Sequence, residues 1–233
     1  MNTDEISVRL VLRLSSSGIM SRRKAAEAVK NGRVTVNGIT VTDPAVPVTA
    51  ADKVFCDGME AAAVARKYYI ALNKPRGYMS SNQDAHSGKL AVGLIDIPGV
   101  RLFSAGRLDM DSDGLLIFSN DGDFVNAMTH PSFGITKSYR VTTSSPLPES
   151  ALEKFISGLE DGGECLKALE VKSTGKCEYL FVLGEGKKRH IRRMVAAVGA
   201  RVVTLTRIRH GKIHLGSLPV GQWRFLTPDE ISL

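Results

Sequence analysis

Cysteine is scarce in this sequence, and the spacing of its thiols argues against two kinds of cross-link. Cys56, Cys165 and Cys177 are the only cysteines, and no two of them form a Cys-x-x-Cys pair. A disulfide framework normally uses an even set of cysteines, and a structural zinc site uses closely spaced pairs. We therefore predict free thiols, no disulfide and no bound metal.

Long apolar runs are missing as well. No stretch approaches the roughly 18 apolar residues that span a membrane. The first residues, Met-Asn-Thr-Asp-Glu, lack the basic and apolar parts of a signal peptide. The 233 residues are 43% hydrophobic and 24% charged, which suits one large globular domain or two smaller ones. We expect a cytoplasmic protein without a membrane partner and, because no oligomerisation seam is visible, a monomer.

Acidic residues are absent from one long segment. Between Lys187 and Lys212 there are nine lysine or arginine residues and no aspartate or glutamate. The whole chain carries a formal charge of +7, so the remainder nets to −2. Concentrated positive charge attracts phosphate groups, whereas an ordinary soluble surface mixes both signs. The segment therefore predicts a nucleic-acid contact, with Lys187, Arg189 and Arg193 as candidate RNA-binding residues.

The most informative stretch is a short acidic loop in front of an apolar run. Asp109, Asp111 and Asp113 precede Gly114 and the residues Leu-Leu-Ile-Phe. A carboxylate at the mouth of a buried strand is costly unless a cation meets it. Together with the basic segment, the loop suggests an acidic catalytic group that acts on a nucleic acid.

Two other interpretations of the acidic loop are weaker. Its Asp-x-Asp-x-Asp-Gly order matches the first half of a calcium-binding loop, but the twelfth position is Asn120 instead of a bidentate glutamate. A pair of carboxylates could also hydrolyse glycosides. Asp109 and Asp111 are too near in sequence to be assigned as separate acid and base.

The pattern of elements predicts an α+β protein in two parts. Residues 1–60 are expected to form a small α/β domain, residues 61–67 a linker, and residues 68–233 a mixed domain with a largely antiparallel sheet and flanking helices. In the first part, Ser21 is a plausible N-cap for a helix over 22–31, and Asn37-Gly38 between two β-branched runs predicts a hairpin.

Periodicity also places elements in the second part. Strands are predicted at 68–73, 138–143, 166–171, 179–183 and 201–209, helices at 124–130, 148–159 and 191–198, and a loop-rich region at 78–100. In the last strand, an alternation with period two predicts that Val203, Leu205, Arg207 and Arg209 share one face.

The first part carries a basic cluster of its own, Arg22, Arg23 and Lys24 at the start of the predicted helix. A charge run is usually a solvated helix face, but cations at a helix start oppose the helix dipole unless an anion is bound there. The motifs in this part are, in order, Arg9-Leu10, Ser21-Arg22-Arg23-Lys24-Ala25 and Gly32-Arg33-Val34-Thr35-Val36-Asn37-Gly38. By that order, residues ~7 to 55 resemble the small RNA-binding domain named after ribosomal protein uS-four. The RNA-binding candidates of this part are Arg9, Ser21, Arg22, Arg23, Lys24, Arg33 and Asn37.

Five motifs are spread in order along most of the chain. They begin with Tyr-Ile-Ala-Leu-Asn-Lys-Pro-Arg-Gly from Tyr69 and Gly-Arg-Leu-Asp from Gly106. They continue with Lys-Ser-Tyr-Arg-Val from Lys137, Lys-Arg-His-Ile-Arg-Arg-Met from Lys188 and Gly-Gln-Trp-Arg from Gly221. The Gly-Arg-Leu-Asp element followed by Gly-Leu-Leu is the most specific of them. By these motifs, nearly the full chain resembles the RsuA-type family of ribosomal RNA pseudouridine synthases.

The resemblance implies roles for individual residues. Asp109 would be the catalytic aspartate, Tyr139 an aromatic residue that stacks on the base, and Arg192 the cation that pairs with the aspartate. Leu205 would pack beneath the base, and Arg107 would hold a phosphate or enter the gap left by the flipped uridine.

The implied reaction turns uridine into pseudouridine without a cofactor or metal. A charged carboxylate in a dry pocket suits this chemistry. The implied partner is ribosomal RNA of either subunit, as free RNA or within an assembling ribosomal particle, and tRNA is a related alternative. A non-catalytic RNA-binding or ribosome-assembly factor is the competing hypothesis. The target uridine and the atom that the aspartate attacks are left open.

Overall fold

The structure is a computed structural model that describes residues 7–62, 66–81 and 88–232. The predicted linker, 61–67, and the predicted loop-rich region, 78–100, lie partly outside these residues, at 63–65 and at 82–87. The chain divides into two compact units. The first comprises 1–67, 97–101 and 120–122, and the second comprises 68–96, 102–119 and 123–233.

The first unit contains two helices and short strands. The strands are β1 Val8–Arg9, β2 Val34–Val36, β3 Ile39–Val41, β4 Pro47–Val48, β5 Val54–Cys56 and β6 Met59–Glu60, and the helices are α1 Leu10–Ser16 and α2 Arg22–Lys30. Strands β3, β2, β5 and β6 form one antiparallel sheet in that order, and β1 pairs with β4. Apolar side chains from both helices pack with the sheet residues Val34, Val54 and Cys56 in one core.

Local sequence signals explain this unit. The Ser21 side chain accepts a hydrogen bond from the Lys24 backbone N–H and caps α2, as predicted. Asn37 and Gly38 have φ of 52° and 84°, the left-handed conformation that a tight two-residue hairpin turn requires. The predicted hairpin is therefore confirmed, with Val36 opposite Ile39.

The second unit is built on one mixed sheet. Its strands are β7 Tyr69–Lys74, β8 Phe103–Ala105, β9 Asp113–Ser119, β10 Lys137–Thr143, β11 Leu159–Asp161, β12 Glu164–Leu166, β13 Glu170–Gly175, β14 Glu178–Leu183, β15 Val202–His210, β16 Ile213–His214 and β17 Trp223–Phe225. The order across the main sheet is β13-β14-β10-β15-β9-β7-β17, with β16 paired to β15 and β8 to β9. The pair β15–β9 is parallel, and the other strand pairs of this sheet are antiparallel. The predicted α+β fold with a largely antiparallel sheet is confirmed.

Helices flank this sheet. They are α3 Gly122–Thr129, α4 Glu149–Ser157, α5 His190–Ala197 and α6 Pro228–Ile231, with short 3₁₀ turns at Ala91–Leu94 and Pro131–Phe133. Phe124 and Met128 of α3 pack with Leu115 and Ile117 of β9 in an apolar cluster. β9 is therefore buried, which explains why its sequence is almost continuously apolar.

Two sequence predictions about strands were wrong. Residues 166–171 form two separate strands instead of one. Leu166 pairs with Leu159 in the small β11–β12 hairpin, whereas Val171 pairs with Phe181 in the main sheet. The chain leaves one sheet and enters another within a few residues, and a local apolar pattern does not reveal that change of partner.

The prediction that all four of Val203, Leu205, Arg207 and Arg209 share one face of β15 was also wrong. Register shifts against β10 leave Ile208 and Val203 as extra residues, so Arg207 lies opposite Tyr139 while Arg209 lies opposite Ser138. A bulge reverses the side to which later residues point. Leu205 and Arg207 are therefore buried on the side of Tyr139, whereas Val203 and Arg209 are exposed.

Candidate active site

The acidic loop enters the sheet at the parallel pair between β9 and β15. Residues 106–112 connect to β9, and Gly114 lies opposite Arg207 of β15 on one side and Lys74 of β7 on the other. An ideal Cβ at Gly114 would lie 2.4 Å from the Arg207 carbonyl oxygen, so only glycine permits this close backbone approach. The loop is thus fixed to the two strands that flank β9.

Backbone contacts hold the residues on both sides of Asp109. The buried Ser80 hydroxyl accepts from the Leu108 N–H (3.0 Å) and donates to the Leu108 carbonyl (2.9 Å). The Gly77 N–H donates to the Met110 carbonyl at 2.7 Å. The position of Asp109 is therefore set by hydrogen bonds that do not involve its own side chain.

The three aspartates of the loop differ in their partners. Asp113 forms an ion pair with Arg76 (3.5 Å), and Asp111 forms ion pairs with Arg189 and Arg192 (3.3 Å each). Within the described residues, the Asp109 carboxylate makes no hydrogen bond and no ion pair. Of the three, Asp109 alone keeps its carboxylate available for a ligand.

Asp109 lines a cavity of about 450 Å³. Tyr139 and Leu205 line the same cavity and are 7% and 6% exposed. Tyr139 comes from β10 and Leu205 from β15, where the bulged register puts both on one side of the sheet. The structure thus brings together three of the candidates from distant parts of the chain, a carboxylate, an aromatic ring and an apolar side chain.

Basic side chains form much of the remaining wall. They are Arg107, Lys137, Lys187, Lys188, Arg189 and Arg207. Lys137 is half-buried, and burial followed by the nearby Arg207 charge lowers its pKa. A cavity lined by cations and a single unpaired carboxylate suits an anionic ligand that has a flat apolar part.

Arg192 has a different partner from the one implied by the resemblance. Its guanidinium contacts the Asp111 carboxylate (3.3 Å), the Asp111 carbonyl (3.0 Å) and the Ser112 hydroxyl (3.3 Å). Burial lowers the pKa of Arg192, while Asp111 and, more weakly, Asp109 raise it. In this structure Arg192 holds the loop just beyond Asp109 and does not pair with the Asp109 carboxylate.

Lys74 stabilises the turn that contacts the acidic loop. Its ammonium is completely buried and donates to the carbonyls of Pro75 and Tyr78, each at 2.9 Å. Burial lowers the pKa of Lys74 to about 8, although the three aspartates of the loop act in the opposite direction. This lysine closes the turn whose Gly77 N–H binds Met110, and so it stabilises the loop next to Asp109.

Some of the RNA-binding residues predicted in α5 and just before it form ion pairs or hydrogen bonds within the protein. Arg193 pairs with Asp161 and Glu164, and Lys187 contacts Glu185 and the Cys165 carbonyl. Arg189 pairs with Asp111, but its side chain is 46% exposed. The positive charge of Arg193 is therefore largely neutralised, and that of Arg189 remains at the surface.

The RNA-binding candidates of the first unit also divide into residues with partners inside the protein and residues that are exposed. Arg33 pairs with Asp57, and the Asn37 side chain bonds to Asp52 and to the Lys53 N–H. Ser21 is occupied as the cap of α2. The remaining candidates are exposed, and no ion pair to them occurs within the described part of the unit: Arg9, Arg22, Arg23 and Lys24.

Sequence reasoning assigned no individual role to two residues of the cavity, Arg207 and Lys137. Arg207 is 1% exposed and Lys137 is half-buried. His190 also lines the cavity, is 4% exposed, and has a pKa lowered chiefly by burial. The signal at Arg207 was an arginine at an alternating strand position, but the same alternation also included the exposed Arg209. The bulge that separates them arises from pairing with β10.

Other ligand classes find little support. The three cysteines are free, and no cluster of potential metal ligands occurs among residues 7–62, 66–81 and 88–232. Asp111 and Asp113, which a calcium site would use, are paired with arginines. None of the helices in the described ranges is long and apolar enough to cross a bilayer.

Comparison with known proteins defines the class to which this arrangement belongs. The family described as RNA pseudouridylate synthase matches residues 68–197, and the S4 domain matches residues 8–54. The chain is 34% identical to ribosomal large subunit pseudouridine synthase B of Bacillus subtilis, over 96% of this chain and 93% of the relative. It is 35% identical to the dual-specificity RNA pseudouridine synthase RluF of Escherichia coli, over 97% and 77%.

A solved structure agrees with both matches. A crystal structure described as pseudouridylate synthase superimposes with a TM-score of 0.70 at 30% identity, covering 97% of this chain and 98% of the other. The chain therefore belongs to the RNA pseudouridine synthase family, as an RsuA-type member with an N-terminal S4 domain. It is an isomerase that acts on RNA, and the resemblance found in the sequence is confirmed.

Proposed function

We propose that this protein converts one particular uridine of ribosomal RNA into pseudouridine, with Asp109 as its catalytic carboxylate. The observation that carries the proposal is the contrast among the three loop aspartates. Asp111 and Asp113 are paired with arginines, whereas Asp109 lines the cavity with no bonding partner in the described part of the chain. A carboxylate held in position but left unpaired is suited to act on a substrate.

Tyr139 and Leu205 provide surfaces for the flipped uracil. Both line the cavity and are nearly buried. Stacking on an aromatic ring offsets part of the cost of removing a base from its helix, by about 1–3 kcal/mol. Leu205 excludes water from the space beneath the base, which keeps the detached uracil from being lost.

Arg192 acts in this proposal through the loop. Its bonds to Asp111 and Ser112 fix the residues that follow Asp109. Its charge also lies close enough to Asp109 to be influenced by that carboxylate. Arg192 is therefore assigned as a positioning residue in the RNA-free enzyme, and no cofactor or metal is needed for the isomerisation.

The name of one relative supports ribosomal RNA as the proposed substrate. The Bacillus subtilis relative is named for the large ribosomal subunit. Ribosomal RNA, free or within an assembling particle, is accordingly the proposed partner of this chain, which would act in the cytoplasm as a monomer. The S4 domain, over residues 1–60, and the basic rim of the cavity would bind the RNA backbone, and residues 61–67 would link the two parts.

The target can be found by mapping pseudouridine directly. Transcripts of both ribosomal RNAs, a tRNA pool and assembly intermediates are each incubated with the purified protein, labelled with carbodiimide and read by primer extension. We expect one new stop, in ribosomal RNA. A protein that binds these RNAs tightly but produces no stop on any of them would instead be an RNA-binding assembly factor.

Exposed cations of the S4 domain should dominate the salt dependence of RNA binding. For each phosphate group that Arg22→Ala or Arg23→Ala leaves unbound, the plot of log affinity against log salt should flatten by roughly 0.7 to 0.9. Arg193→Ala is the matched control, because its charge is already neutralised by Asp161 and Glu164. Equal slopes for the wild type and the Arg22→Ala/Arg23→Ala double variant would place the RNA elsewhere.

A further inference from the structure

Arg207 is the largest fully buried polar side chain near the reaction site. It is 1% exposed, although it lines the same cavity as Asp109. Its Nε donates to the Leu115 carbonyl (2.7 Å) and its Nη1 to the Arg107 carbonyl (3.4 Å). Its Nη2 is buried and has no hydrogen-bond partner in the described part of the chain.

The charge of Arg207 is likewise uncompensated. Arginine stays protonated in proteins, and burying an unpaired charge is costly. No carboxylate lies within ion-pair distance of Arg207 among the described residues. Burial is the main cause that lowers the pKa of Lys74, Lys137 and His210, and the nearby Arg207 charge adds to the lowering in each case. The site therefore holds an excess of positive charge that an incoming ligand can balance.

The guanidinium is fixed in place by its two backbone contacts. The carbonyl of Arg107, which it binds, belongs to the loop that carries Asp109. The backbone of Arg207 packs against Gly114 with no room for a side chain between them. Because Arg207 is held by both strand and loop, it is preorganised, and a ligand must come to it.

The location of Arg207 favours the base over the phosphate as its ligand. It lies directly opposite Tyr139 across the β10–β15 pair and two residues after Leu205, the surfaces proposed to hold the uracil. Phosphate groups of RNA are bulky and remain near water, where Arg107 and Arg189 are exposed. The uracil is the part of the substrate that can reach Arg207 in the buried wall of the cavity.

We infer that Arg207 is a further catalytic residue, whose free Nη2–H donates to a carbonyl oxygen of the uracil and stabilises the negative charge on the detached base. The inference rests on the proposed function. In the overall reaction the N1–C1′ bond breaks and its electron pair remains on the uracil. The C5–C1′ bond then forms, C5 loses a proton and N1 gains one, so that atoms and charge balance.

The charge on the base is greatest after the N1–C1′ bond breaks and before the C5–C1′ bond forms. A fixed donor in a dry site is worth more to this state than to neutral uridine. Loss of Arg207 should therefore slow the chemical step and leave RNA affinity nearly unchanged. A purely structural role would instead lower the stability of the fold and reduce all activities together.

The experiment compares Arg207→Gln with wild type in single-turnover reactions on an RNA fragment that contains the target uridine. We expect the rate to fall about 10²- to 10³-fold, with an RNA dissociation constant within about threefold of wild type. Arg207→Lys, which keeps the charge without the planar donor geometry, should lie between the two. Arg209→Gln removes an exposed charge from the same strand and should change affinity more than rate.

A second substrate separates charge stabilisation from structure. The same RNA is prepared with 5-fluorouridine at the target position, because fluorine withdraws electron density and makes the uracil a better leaving group. Fluorine also prevents the final loss of a proton from C5, so consumption of the starting nucleotide is measured. The penalty of Arg207→Gln should be at least tenfold smaller on this substrate than on uridine.

The outcomes are distinguishable. Equal penalties on both substrates, or no penalty on uridine, would overturn the role of Arg207 while the isomerase activity stands. A wild-type enzyme that consumes neither substrate would overturn the proposed function itself. Thermal unfolding is recorded for each variant, and if Arg207→Gln does not fold, the two-substrate comparison with Arg207→Lys decides in the same way.

Discussion

We expect Asp109→Asn to abolish isomerisation while RNA binding is preserved. The substitution is nearly isosteric and removes the negative charge from a side chain that makes no bond in the described structure. The fold should therefore be unaffected. The rate should fall by about 10⁴-fold or more, the scale for removing a member of a catalytic group. Single-turnover conversion of the mapped uridine measures the rate, and a filter-binding titration measures affinity.

Asp111→Asn is the matched control for this experiment. It removes the same charge two residues away, where the carboxylate is 47% exposed and paired with Arg189 and Arg192. The pair with Arg189 is exposed and contributes about 0–1 kcal/mol. Arg192 keeps its bonds to the Asp111 carbonyl and the Ser112 hydroxyl in this variant, so we expect less than about a tenfold change in rate. Comparable losses in both variants would mean that the charge of the whole loop matters, and that Asp109 has no special role.

The second large effect is expected on stability, at Gly114. Its φ is +98°, and a Cβ there would approach the Arg207 carbonyl oxygen at 2.4 Å and the Arg207 nitrogen at 2.8 Å. Gly114→Ala would combine an unfavourable backbone conformation with a collision between two central strands. We expect a loss of more than about 3 kcal/mol in the free energy of unfolding, measured by urea denaturation.

Gly106→Ala isolates the conformational part of that cost. Gly106 also has a positive φ, +83°, but a Cβ there would meet the nearest atom, a methyl carbon of Thr129, at an ordinary 3.8 Å. We expect a loss of about 1 kcal/mol from the backbone conformation alone. If the two variants were equally stable, the close approach of Gly114 and Arg207 would not be a feature of the folded protein.

Local signals account for much of what the sequence predicted correctly. The cap of α2, the Asn-Gly hairpin, the helix α5 and the buried strand β9 each depend on residues that are neighbours in the chain. The motif order likewise identified the family. Propensity, capping and periodicity act over a few residues, so a single sequence reveals them.

The errors fall where partners are distant in sequence. The split of 166–171 into two strands and the bulge at Ile208 result from pairing with strands that lie elsewhere in the chain. A shift of one residue exchanges the two faces of a strand. Alternation alone therefore grouped Arg209 with Arg207, although one is exposed and the other buried.

The amino-acid sequence by itself determined that this protein is an α+β pseudouridine synthase with an S4 domain, a basic segment and an acidic loop at the mouth of a buried strand. The tertiary structure decided which carboxylate of that loop stays unpaired, and that Arg192 binds Asp111. It also decided that the unpartnered guanidinium of Arg207 lines the cavity. The physical reason is that ion pairs and burial depend on atoms brought together by strand register, which no local pattern encodes.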